Sequence, residues 1–135
     1  METVAERLAR EAAEAAERIR KAMIRGQINN LNSTRKRYSD ARDKVSAAKT
    51  DVDSVKSSWE SSVNSLNGTD IVIDGSFEGE MAEKLKSKVD SSVEENQRYL
   101  SDAGNLITEL TTQISKIDTR INEIDQQISN LRAQL

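Results

Sequence analysis

From Val89 to Leu135 the chain repeats an apolar residue every three or four positions without a gap. The series runs through Val93, Leu100, Ala103, Ile107, Leu110, Ile114, Ile117, Ile121, Ile124, Ile128 and Leu131, with Asn96 as its polar member. Only a helical period places such residues on one stripe; a strand would scatter them over both faces. A stripe this narrow is buried by another helix rather than by a thick core. Composition points the same way, since aromatic residues make up 3% of the chain, charged residues 32%, and proline is absent. The fold class is therefore all-α.

A second stripe precedes the first. Leu31, Tyr38, Val45, Val52, Trp59 and Leu66 recur every seven residues, and Ala41, Ala48 and Val55 are read as the alternate seam position. Asn67-Gly68 is a helix stop, because either residue accepts the left-handed backbone of a helix C-terminus. Residues 69–76 break the period, with Ile71-Val72-Ile73 read as a short extended loop tucked against the helix ends or, as the alternative, offered to a partner. Ser76 is placed to cap the second helix. The pattern predicts a helix over 26–67, a loop over 68–76 and a helix over 77–135, which together form a long antiparallel, coiled-coil-like helical hairpin. If the helix ends face each other, opposed residue numbers add to roughly 144. That register sets Trp59 beside Leu85, Val45 near Tyr99, Tyr38 near Leu106 and Ile107, and Ile121 beside Met23. Gly104 marks a bend or a close helix approach, and Asn96 on the seam specifies register. Val63, Met81, Leu106 and the Ile ladder exceed one stripe, so a four-helix bundle is expected on assembly.

Residues 1–25 differ from the rest. They contain seven Ala and eleven charged residues but no Ser or Asn, whereas the sequence from Gly26 onward holds sixteen Ser and nine Asn. The segment reads as a surface-charged helical extension, engineered or fused, with a natural Ala-rich helix end as the alternative. In the 144 register it would cover the Ile-rich end of the second helix, setting Ile128 beside Ala16 and Leu135 beside Ala9.

Cysteine and histidine are both missing, which removes disulfides, Cys/His metal sites and the usual neutral-pH general base. Acidic pairs such as Asp51 and Asp53 read as a solvated helix face, so neither catalysis nor a cofactor is expected. A net charge of −3 with interspersed signs provides no basic stripe for nucleic acid. No apolar run reaches the ~18 residues of a membrane span, and no leader-like apolar core stands at the N-terminus, so membrane insertion and a cleaved leader are not expected.

Phe77-Glu78-Gly79, followed by Ala82 and preceded by Trp59-Glu60, sits at the turn of the hairpin. Here the chain resembles the WXG-type (Esx-like) superfamily of the Gram-positive type VII secretion system, and most of all the YwqH-like small partners of LXG-domain toxins. The resemblance covers about residues 27–135. Trp59-Glu60-Ser61 lacks the glycine of W-x-G, so Phe77-x-Gly79 carries the match, and neither Tyr38 nor Tyr99 has an acidic residue four positions on. The resemblance implies a non-enzymatic adapter or targeting chaperone, cytoplasmic or exported with its client. It would bind the helical LXG region of a toxin, with a second small helical protein or a second copy of itself as further partners. Phe77, Gly79 and Ala82 would form the turn motif, with Trp59, Leu106, Ile107, Ile114, Ile121 and Ile128 as the core and partner seam. The rival reading is a structural coiled-coil spacer or oligomerisation element without a client.

Overall fold

A computed structural model of the chain describes residues 1–68 and 77–135, the side chains of Phe77 and Glu78 excepted, as two long helices packed against each other. Helix α1 is Val4–Asn67 and α2 is Phe77–Ala133, and no strand occurs among the described residues. The expected loop with Ile71-Val72-Ile73, and the cap at Ser76, lie outside the described residues.

Each free end is closed locally. At the start of α1 the Thr3 N–H donates to Glu6 Oε2 at 3.0 Å and the Glu6 N–H donates to Thr3 Oγ1 at 3.1 Å, a reciprocal capping box. At the end of α2 the N–H groups of Gln134 and Leu135 reach back three residues to the Leu131 and Arg132 carbonyls. Arg20 of α1 then donates to the Gln134 carbonyl at 2.9 Å, setting a cation at the negative end of the α2 dipole. Gly26 interrupts neither hydrogen bonding nor the run of α1. At Gly68 the N–H still bonds Asn64 O at 2.9 Å, and the backbone is outside the left-handed region that the sequence led us to expect.

Contacts gather into two units. The first is Met1–Asp43 with Ser115–Leu135. Its core is Ile24, Ile28, Ile124 and Ile128, with Leu31, Tyr38 and Leu131 packed around it and Ile124 fully buried. Beside this core Arg35 Nε donates to Asp125 Oδ1 at 2.6 Å and Arg42 donates to Asp118, each acid holding its guanidinium pKa above the ordinary value. Cross-helix contacts in this unit join residues whose numbers add to between 154 and 160.

The second unit is Lys44–Ile114. Among its described residues Val63 and Val93 are the buried hydrophobic ones, and Val45, Val52, Trp59, Leu66, Leu100, Ala103, Ile107 and Leu110 are half-buried along the seam. Trp59 meets Asn96 and Tyr99, and the Lys56 side chain passes Gly104, so partner numbers here add to between 155 and 160.

The register of 144 is thus wrong by about three turns. It assumed that Asn67 and Phe77 face each other, whereas α2 runs about three turns past the end of α1, and Met81 and Leu85 on those turns are exposed. The energetic reason lies at the other end. In the observed register the Ile-rich part of α2 meets Ile24, Ile28 and Leu31; in the expected one it would have met Met23, Ala16 and Ala9, with far less apolar area buried. The composition-shifted extension covers this end only with its last turns, where Arg20 reaches the Gln134 carbonyl and Ile24 enters the core. Its first 19 residues are exposed except for half-buried Ala15, and Val63, read as surplus to the seam, is 4% exposed.

The alternate seam position also differs from the sequence reading. Arg35, Arg42, Lys49 and Lys56, spaced by seven, are half-buried there, while Ala48 and Val55 are exposed. Their aliphatic stems fill the seam and their charged heads emerge at its edge. At Gly104 α2 stays helical, and a Cβ there would meet Lys56 Cε at 3.7 Å, an ordinary contact.

Two substitutions should consequently move stability in opposite directions. Ile124→Ala empties a fully buried side chain and is expected to cost about 2–5 kcal/mol. Gly104→Ala gains helix propensity without a clash and is expected to stabilise by up to about 1 kcal/mol. Urea melts monitored by helical circular dichroism check both, with unchanged slopes.

Candidate partner-binding face

The surface best suited to binding is built in the second unit around Trp59. This residue occupies the seam because its heptad position faces α2, and its indole N–H donates to Asn96 Oδ1 at 2.9 Å. Asn96 in turn donates through Nδ2 to the Ser92 carbonyl at 2.8 Å and to Ser92 Oγ at 3.3 Å. A polar side chain on an apolar stripe is costly unless its groups are paired, and here carbonyl and amide both are. The Asn96 carbonyl needs a donor opposite it and Trp59 supplies one, so the pair fixes alignment as well as filling space.

Tyr99, one turn beyond Glu95, lies over Trp59 with ring centroids 5.9 Å apart and planes inclined by 29°. Its hydroxyl donates to Glu95 Oε1 at 3.1 Å. That hydrogen bond, reinforced by the charge of Glu95, pushes the phenol above its ordinary 10.0, with Arg98 pulling weakly the other way. Beside the rings a shallow groove is lined by Asp51, Val52, Val55, Lys56, Trp59 and Ala103. Val55 is 63% exposed, and Leu106, on the Tyr99–Ala103 face of α2, is 43% exposed. Lys56 and Glu60 form an ion pair at 3.6 Å on the rim.

The residues singled out from sequence do not form a single site. Trp59, Leu106, Ile107 and Ile114 belong to the second unit, and Ile121 and Ile128 to the first. Ile107, Ile114 and Ile121 are half-buried, Ile128 is taken up by the four-isoleucine core, and Leu106 stays open. Of the turn motif, Phe77 is the first residue of α2 with its side chain outside the described residues, Gly79 is buried and Ala82 is half-buried. Sequence reasoning missed Val55 and Tyr99 as surface groups. It had assigned Val55 to the seam, and the signal that would have freed it is the Arg/Lys heptad one position away.

The arrangement offers apolar and aromatic contact area. Among the described residues no three His, Cys, Asp or Glu side chains stand close enough to hold a metal ion, and no helix is long and apolar enough to cross a membrane. Comparison with known proteins finds no matching family, no matching curated protein and no matching solved structure.

The Tyr99–Glu95 bond carries its own test. In a Tyr38→Phe background the phenol absorbance of Tyr99 should titrate above pH 10, and Glu95→Gln should return the midpoint toward 10.

Proposed function

We propose that this chain is a non-enzymatic helical adapter that binds a helix of a client protein on the face formed by Val55, Trp59, Tyr99 and Leu106. The observation that carries this reading is the open apolar groove beside the Trp59–Tyr99 stack: α1 and α2 leave Val55 and Leu106 uncovered on one side of their seam. A third amphipathic helix laid there would bury these side chains against a floor of Val52 and Ala103, which is the mode by which helices dock into apolar grooves. A polar rim of Asp51, Lys56 and Glu60 would orient it.

The client class comes from the likeness of the turn. Phe77-Glu78-Gly79 at the start of α2, with Ala82 one turn on, supports the resemblance to YwqH-like partners of type VII toxins, and the client is then the helical LXG region of such a toxin. In that role the adapter acts in the cytoplasm of a Gram-positive bacterium before its client is exported. The spacer reading has less support, because a filament spacer needs neither the chain reversal nor an open aromatic face.

The test is binding of the purified chain to an LXG region encoded beside it, followed by isothermal calorimetry. Val55→Asp and Leu106→Asp should each weaken binding at least tenfold while leaving the circular dichroism melt in place. Full affinity in both variants, or no complex with any such LXG region, contradicts the proposal.

A further inference from the structure

The first five turns of α1 present an apolar stripe that faces away from α2. Leu8 is 56% exposed and Ile19 62%, with Ala5, Ala12, Ala15 and Ala22 completing a strict alternation of three and four. The phase of the α2-facing seam, traced back from Ile24, passes instead through Lys21, Glu17, Glu14, Arg10 and Arg7. At about 100° per residue the Leu8–Ile19 stripe is rotated by roughly 140–160° from Ile24. These turns lie beyond the end of α2, which closes at Arg20 through the Gln134 carbonyl. The stripe therefore faces away from the side of α1 that packs on α2, and no described residue covers Leu8 or Ile19.

We infer that a second copy of this chain covers the stripe, the two segments running antiparallel. The stripe is complementary to its own reverse: when opposed residue numbers add to 27, Leu8 meets Ile19 of the copy, Ala12 meets Ala15, and Ala5 meets Ala22. Each layer then pairs one seam position with the other kind, as antiparallel coiled coils require, and the four central alanines let the backbones approach closely. Charge selects the same direction. Glu11 flanks the stripe on one edge and, in the antiparallel pair, lies beside Arg18 of the copy, a match that the two-fold axis repeats. A parallel pair would set Glu11 and Arg18 beside Ala16 and Met23 instead, with no such match. The α2 helix of each copy lies on the far side of its own α1 and leaves the contact clear. Within the segment Glu11 also pairs with Arg7 at 3.9 Å, a long contact between exposed side chains that leaves its carboxylate open to Arg18 of the copy, while Arg10 with Glu2 and Glu14 and Arg20 with Glu17 are internal and survive pairing.

Sedimentation equilibrium of the full chain tests this, with dimers expected at micromolar to tens of micromolar concentration. Ile19→Glu should weaken the dimer at least tenfold, and so should Glu11→Arg or Arg18→Glu alone, whereas the double variant Glu11→Arg/Arg18→Glu should restore it. Leu106→Asp should have no effect. Orientation is read by mixing a Leu8→Cys chain with an Ile19→Cys chain under oxidation, a clean experiment because the chain has no cysteine. Mixed cross-links should predominate. A chain that stays monomeric throughout, a dimer indifferent to Ile19→Glu, or cross-linking mainly within each variant would overturn the inference.

Discussion

The register between the two helices is the constraint on which the rest of the structure depends. A two-helix hairpin has little apolar area to bury, so the alignment that buries most of it decides the fold. Ile24 and Ile28 against Ile124 and Ile128 form a buried apolar cluster, and among the described residues Ile124 is the side chain lost entirely from solvent. Within each unit the same kind of alignment recurs. Arg35 falls beside Asp125 and Arg42 beside Asp118 in the first unit, and in the second Trp59 falls beside Asn96 while Lys56 passes the bare backbone of Gly104. The exposed ion pairs refine this alignment more than they drive it, since such pairs are screened and pay side-chain entropy. Apolar burial and the satisfied Asn96 supply the larger share.

The same register creates the surfaces on which function rests. Because α2 ends near Arg20, the first turns of α1 are left as a single helix, held by its capping box, by alanine and by ion pairs between neighbouring turns. Because the seam accepts Arg and Lys stems, Val55 is free to remain outside it, and Tyr99 stacks on Trp59 at the edge instead of entering the core. The open face and the solitary helix are thus by-products of one alignment, and each offers an apolar stripe to a further helix.

Much of this was legible in the sequence. The 3–4 ladder of α2 and the seven-residue recurrence in α1 indicated two long helices, and the half-buried and buried positions from Val89 to Leu131 follow that ladder, while Leu135 falls past the helix end. What the pattern could not convey was the relative alignment of the two stripes. Periodicity is indifferent to a shift by whole heptads, and the assumption that helix ends coincide depended on a segment whose path no spacing rule dictates. Counting Arg35, Arg42, Lys49 and Lys56 as polar hid their stems, so the seam seemed to need Ala41, Ala48 and Val55. The Thr3–Glu6 capping box, by contrast, was available as a Thr-x-x-Glu signature ahead of the first apolar positions.

The most direct measurement of the alignment is the distance between spin labels placed on exposed positions of the first unit. One label is attached through Gln127→Cys and the other through either Asn29→Cys or Glu17→Cys, since the chain has no cysteine of its own. The observed register places Asn29 opposite Gln127 and leaves Glu17 twelve residues away, an axial offset of about 18 Å at ~1.5 Å per residue. The 127–29 distance should therefore be the shorter by a wide margin. A shorter 127–17 distance would place the helices in the end-to-end register and contradict the account.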